Sequence, residues 1–236
     1  MIATSSIPVL ASPDEGAPLV TELVVGEGAR VLDAREGWLR IVVPTHATRL
    51  DGRGYPGWAR ETGLIDVPNW RPNTKVVAPN EAGLPLGALL QRDGGKPRLP
   101  GGSEAILGPA ALGYVDAPLK DSPVEVSRRL LGLPYRWGGT DSTTGMDCSG
   151  LVFRVMGLLG VEVPRDSADQ FDRAPYRSRE HWRAARKDDL IFFGTNSVDH
   201  VGFYLGDGTY LSAHGSTGTA VRDVEADPYW GFARYR

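Results

Sequence analysis

A single cysteine, Cys148, stands in the run Gly145-Met146-Asp147-Cys148-Ser149-Gly150-Leu151, where a glycine-containing loop gives way to an apolar helical pattern. In the first turn of a helix the backbone N–H groups have no intrahelical partner and the dipole presents its positive end. Both effects favour a thiolate there, and the same N–H groups can stabilise an oxyanion. One cysteine excludes an internal disulfide framework and a multi-cysteine metal site, which leaves buried filler or reactive thiol. Taken alone, a cysteine on an apolar helix is more often filler.

Two histidines shift that balance. The segments His200-Val201-Gly202-Phe203-Tyr204-Leu205 and Thr209-Tyr210-Leu211-Ser212-Ala213-His214 flank Gly206-Asp207-Gly208, a hairpin loop by composition. If Leu205 faces Thr209, stepping outward along both strands brings His200 opposite His214. Directly opposed residues have Cβ atoms about 5 Å apart, close enough for one imidazole to orient the other. The chain Cys148, His200, His214 then has the logic of nucleophile, base and orienting group: His200 takes the thiol proton and later protonates the leaving amine. The pair could instead be structural, or two ligands of a metal, but no third or fourth ligand of matching spacing is evident, and neither metal nor cofactor is expected. His46 and His181 lie in polar or loop-like surroundings and read as surface residues.

The elements that must position these groups are legible as patterns. Leu151, Val152, Val155, Met156, Leu158 and Leu159 form an apolar helix face closed by Gly160 and followed by Pro164. Upstream, Val124, Val126, Leu130 and Leu131 recur at helical spacing after Ser122-Pro123, with Glu125 in the first turn. Asp189–Phe193, His200–Leu205 and Thr209–Ala213 read as strands, so residues 120–236 form an α+β domain, helices first and an antiparallel sheet afterwards. Near the amino terminus, Val20–Val25, Arg30–Ala34 and Leu39–Val43 are short branched-aliphatic runs separated by glycine turns, which with Leu50–Ile65 read as a small antiparallel barrel over residues 1–66. Residues 67–119 are rich in glycine and proline, with strand-like pieces at Lys75–Ala78, Leu86–Gln91, Ala105–Leu107 and Leu112–Val115. They fit a second, diverged barrel better than a long irregular linker.

Composition sets the outer bounds. With 26 basic and 29 acidic side chains in 236 residues and a formal charge of −3, the chain lacks the basic excess that nucleic acid phosphates demand. Met1–Pro13 lacks the cationic start and continuous apolar core of a secretory signal, and no stretch is long enough to cross a bilayer. A cytoplasmic monomer with neither nucleic acid nor membrane as partner is expected.

The carboxy-terminal region resembles the NlpC-type family of cell-wall cysteine peptidases through most of Val126–Tyr235. The matching motifs are Leu133-Pro134-Tyr135 with Trp137-Gly138-Gly139, Asp147-Cys148-Ser149-Gly150, Pro164-Arg165-Asp166-Ser167 with Gln170, Asp189–Phe193, His200-Val201-Gly202 and Ala213-His214. Asp188 departs from the family, which usually has glycine there. The amino-terminal region resembles bacterial SH3-like domains at Val25-Gly26-Glu27, Gly37-Trp38 and Tyr55–Trp58, ending at Gly63-Leu64-Ile65. The fold implied is an α+β papain-like domain preceded by one or two small all-β SH3-like barrels.

Members with this layout hydrolyse the bond between γ-D-glutamate and a diamino acid in murein peptides that begin with a free L-alanine, in cell-wall peptide recycling. The resemblance implies Cys148, His200 and His214 as catalytic residues and Tyr55, Asp147, Ser149, Ser167 and Tyr135 as substrate contacts. Asp147, Ser149 and Ser167 would bind the amine and its polar neighbours. For Tyr55 the alternative is a packing aromatic; Tyr135 lines the cleft or assists the oxyanion, with packing under Trp137 as the alternative. An acidic residue of the first domain also contacts substrate in the family, with Glu36, Asp51 and Glu61 as candidates. The competing readings are a cell-wall-binding protein and an amidase or acyltransferase of the same superfamily.

Overall fold

The computed structural model describes all 236 residues, which divide into two compact units: Met1–Leu119 with Trp137–Thr143, and Lys120–Arg136 with Thr144–Arg236. The Trp137-Gly138-Gly139 motif, read from sequence as part of the carboxy-terminal domain, thus belongs to the first unit.

In the first unit a five-stranded antiparallel sheet runs in the order Leu19–Leu23, Ile7–Leu10, Tyr55–Arg60, Trp38–Val43, Arg30–Arg35. Alternation fixes its faces: Leu39, Ile41 and Val43 point into a core shared with Ile7, Val9, Leu23 and Leu64. The opposite face carries Arg60 stacked on Trp38, 4.0 Å from ring centre, and Arg35 on Trp58 at 4.8 Å. Glu36 and Gly37 form the two-residue turn between the last pair of strands; both have positive φ, 50° and 75°, which matches the strand twist. Ile7–Leu10 is a strand in spite of Pro8, which sits opposite Glu22 in the ladder. Farther along, Thr74–Val76, Leu89–Leu90 and Leu112–Tyr114 form a three-stranded sheet, and Ala105–Leu107 is not a strand.

The second unit holds three helices, α1 (Pro123–Arg128), α2 (Cys148–Leu158) and α3 (Ser167–Asp172). Its sheet is six-stranded and antiparallel, ordered Tyr176–Ser178, Tyr229–Arg234, Leu190–Phe193, His200–Tyr204, Thr209–His214, Gly218–Asp223. A reciprocal capping box starts α1: Glu125 N–H donates to Ser122 Oγ and Ser122 N–H to Glu125 Oε2. Asp188 takes the left-handed φ of 75° that explains the usual glycine, and its carboxylate accepts the Val124 N–H at 2.9 Å. The departure therefore exchanges some backbone strain for a second cap on α1. The apolar stripe of α2, Leu151, Val152, Val155, Met156, Leu158 and Leu159, is buried throughout, and α2 packs on the His200–Tyr204 and Thr209–His214 strands. Gly202 permits the hairpin packing: a Cβ there would lie 2.6 Å from the Tyr210 ring. No helix of the structure is long and apolar enough to cross a membrane.

Candidate active site

Cys148 is the first residue of α2 and is 6 % exposed. Immediately before it, Asp147 caps the helix by accepting the Gly150 N–H at 2.6 Å. The same carboxylate accepts Arg165 Nη1 at 3.1 Å and Nη2 at 2.8 Å, and the Ser149 hydroxyl at 3.2 Å. Arg165, 1 % exposed, also donates to Ser149 Oγ at 2.9 Å. Gln170, on α3, donates to the backbone oxygens of Ser149 and Pro164 at 3.1 and 2.8 Å. The motif from Pro164 to Gln170 is therefore a clamp on the first turn of α2, holding the thiol in place by a two-pronged guanidinium–carboxylate contact.

The hairpin register is the one counted from the loop. Phe203 faces Leu211 and Tyr204 faces Tyr210, and Leu205 N–H donates to Thr209 O, which carries His200 opposite His214. Their ring centres lie 4.4 Å apart at an interplanar angle of 57°. Val201, next to His200, and Ser149 present backbone N–H groups that favour the thiolate form of Cys148. Phe193 and Tyr210 pack against the His200 ring, with centres 5.8 and 6.0 Å away.

Burial dominates the electrostatics. Desolvation and then the Asp147 charge push the Cys148 thiol up to about 12, although the Val201 and Ser149 N–H groups and Arg165 pull the other way. Burial and then His214 lower His200 to about 4, and burial and then Arg222 lower His214. The resting pair is accordingly thiol and neutral imidazole. The helix terminus favours the thiolate, as expected from sequence, but desolvation outweighs it. Tyr135 is pushed up to about 12, first by burial and then by the electrostatic influence of Cys148 and Asp147, so its phenol stays an O–H donor. A pH dependence follows for a mechanism in which His200 is the base: with that imidazole neutral down to about pH 4, the acid limb of kcat/KM falls below pH 5, well short of the ordinary imidazole value of 6.5. A pH–rate profile measured with peptide far below KM checks this, and a limb centred at 6.5 would mean a solvated His200.

Of the remaining expected residues, Ser149 is buried in the Asp147–Arg165 network, Ser167 opens α3 half-buried, and Tyr135 is half-buried. Tyr55 is 6 % exposed and its ring lies in the core of the first unit, the packing alternative. Glu36 and Glu61 are exposed, and Asp51 is held at about 2 by hydrogen bonds from Arg53. The buried carboxylates of the first unit are Glu22, which accepts the Thr140 N–H at 3.2 Å, Glu27, which accepts the Val24 N–H at 2.8 Å, and Asp141, which accepts the Thr143 N–H at 2.6 Å. His46 is a correction: it is fully buried, hydrogen-bonded to Thr21 Oγ1 at 2.8 Å and 3.4 Å from Glu27, because its polar partners come from distant sequence. His181 is exposed. Asp227, a carboxylate 3.9 Å from His214 Nε2, has no signal in the chain's local pattern.

A thiol at the mouth of a helix, packed on an antiparallel sheet that presents two facing imidazoles, defines a cysteine peptidase of papain-like type. Residues 132–233 match the NlpC/P60 family. Over 242 residues the chain is 30 % identical to the γ-D-glutamyl-L-lysine dipeptidyl-peptidase of Bacillus cereus (strain ATCC 10987 / NRS 248), covering 89 % of this chain and 70 % of that protein. The protein of that name from Bacillus subtilis (strain 168) is 28 % identical over 218 residues, covering 81 % and 71 %. The fold matches the crystal structure of an NlpC/P60 family protein from Bacillus cereus ATCC 10987 with a TM-score of 0.85, at 24 % identity, over 99 % of this chain and 98 % of that one. The chain belongs to the NlpC/P60 family.

Proposed function

We propose that this peptidase hydrolyses the amide between γ-D-glutamate and the following L-diamino acid in murein peptides with a free N-terminal L-alanine, in cytoplasmic recycling of cell-wall peptides. The observation that carries the chemistry is the pair of facing imidazoles, His200 and His214 with ring centres 4.4 Å apart, on the two strands against which α2 packs with Cys148 as its first residue. The names of the two Bacillus relatives support the bond chosen.

In this reading His200 removes the thiol proton as the sulfur attacks the γ-carbonyl of D-glutamate, so the neutral pair becomes charged only as the carbon–sulfur bond forms. The first-turn N–H groups of α2 and the Tyr135 hydroxyl face the oxyanion. The tetrahedral adduct collapses with breakage of the C–N bond; His200 returns its proton to the departing diamino acid and leaves a thioester. Water, deprotonated by His200, then cleaves the thioester, releasing L-alanyl-D-glutamate and restoring the thiol. Asp147, Ser149 and Ser167 read the alanine amine, which must share the Asp147 carboxylate with Arg165. Residues 1–66 and 67–119 are read as SH3-like modules, a reading supported by the short-stranded antiparallel sheets they form.

Incubating L-alanyl-γ-D-glutamyl peptides ending in L-lysine, L-ornithine or meso-diaminopimelate, each with a free or an acetylated amine, tests the assignment by mass spectrometry of the products. Release of L-alanyl-D-glutamate from at least one free peptide, and much slower cleavage of its acetylated form, is expected. Absence of dipeptide from all three sinks the proposed bond, and equal rates on free and blocked peptide sink the amine anchor.

A further inference from the structure

Behind His214, on the side away from the thiol in the proposed relay, the structure builds a carboxylate into a fixed frame. Asp227 follows the short turn Val224–Ala226. Its Oδ2 accepts the Tyr210 hydroxyl at 2.5 Å and Arg222 Nε at 3.3 Å, while its Oδ1 lies 3.9 Å from His214 Nε2. That nitrogen is buried and has no hydrogen-bond partner. Tyr210 lies on the same strand as His214, four residues earlier, with its ring against Phe193 at 4.5 Å and against His200 at 6.0 Å. One side chain therefore both supports the base and anchors the carboxylate.

We propose that Asp227 is a positioning residue that fixes the direction of the histidine relay, an inference that rests on the catalytic reading of Cys148, His200 and His214. An ionised carboxylate accepts hydrogen bonds and never donates them. Facing Nε2 of His214, it draws that ring's proton to Nε2 and leaves Nδ1 as an acceptor. An acceptor on His214 selects the tautomer of His200 that donates toward it, and the remaining nitrogen of His200 then carries the lone pair that takes the thiol proton. Burial works to raise the Asp227 carboxyl, but the Tyr210 hydroxyl, Arg222 and His214 together outweigh it, and the group is held ionised. The charged groups acting on the two imidazoles are Arg222 and Asp227 for His214, and these with Asp147 for His200.

Asp227→Asn keeps the shape and can donate as well as accept, so it releases the tautomer without opening a cavity. Relative to wild type, kcat is expected to fall about 10- to 100-fold with KM within about twofold, the range seen when outer partners of a functional imidazole are lost. Loss of the negative charge also lowers both imidazoles, so the acid limb of Cys148 alkylation by iodoacetamide moves to lower pH and its plateau rate drops. Tyr210→Phe, which removes only the hydroxyl that anchors Asp227, is expected to move both readouts the same way by less. An Asp227→Asn enzyme with wild-type kcat and alkylation profile overturns the proposal. So does an activity loss that merely tracks a lower melting temperature while the alkylation profile of the folded fraction stays put. Alkylation needs no peptide: a wild type that cleaves none of the tripeptides yet shows an Asp227-dependent profile retires the proposed substrate and leaves this inference standing.

Discussion

Replacing Cys148 with alanine is expected to lower turnover of the cleaved tripeptide by about 10⁵-fold or more while leaving the melting temperature within a few degrees of wild type. The size of the kinetic effect comes from the chemistry: without the sulfur no thioester forms, and only the oxyanion donors and binding contacts remain to act on bound water. The small thermal effect comes from geometry. Cys148 is a first-turn residue whose backbone conformation alanine adopts readily, and the group deleted is one buried sulfur, so about 1 kcal/mol is at stake. Because the chain has a single cysteine, iodoacetamide gives an internal control: one adduct per wild-type chain and none in the variant. Turnover retained by an unalkylatable, folded variant would remove the thiol from the mechanism.

Arg165→Met is expected to be the most destabilising single change near the site. It strips the partner from Asp147, whose carboxylate stays largely buried at the head of α2 while still capping Gly150. Breaking a buried pair from one side costs about 3–5 kcal/mol, because the remaining charge is left uncompensated. For a chain of this size that is a fall in melting temperature of about 10 °C or more. Methionine fills much of the volume vacated by the arginine stem, so most of the loss is electrostatic. The double variant Arg165→Met with Asp147→Asn tests that account. Asparagine still caps a helix, and with both charges gone the double variant should recover to within about 2 kcal/mol of wild type. Denaturant unfolding of the three variants and wild type gives the coupling directly; if the two single losses simply add, the pair does not hold the loop together. Activity of Arg165→Met should fall further than its folded fraction, since the clamp fixes the turn that presents Cys148 and bonds Ser149 as well.

The machinery as a whole balances burial against reactivity. The thiol is pushed up to about 12 and the His200 imidazole down to about 4, so neither of the two carries a charge until a carbonyl arrives to receive the sulfur. Such a pair depends on orientation of the imidazole for its rate, which is why the groups behind His200 matter.

Local periodicity along the chain encodes the elements that carry the reactive groups. The stripe from Leu151 to Leu159 fixes α2 and sets Cys148 in its first turn, and the three-residue loop Gly206-Asp207-Gly208 fixes a register in which His200 meets His214, since every residue along a hairpin is placed by its turn. How those groups behave depends on packing that no local pattern encodes. The ionisation of Cys148 depends on how much water the packed hairpin excludes. Arg165 finds Asp147 18 positions away, His46 finds Thr21 25 positions away, and Asp227 reaches His214 from beyond a short turn. Trp137–Thr143 joins the first unit although its chain neighbours on both sides belong to the second. Contacts of this kind leave no period in the chain, because each polar partner is chosen by three-dimensional proximity and by the need to satisfy a buried charge or donor, not by spacing along the backbone.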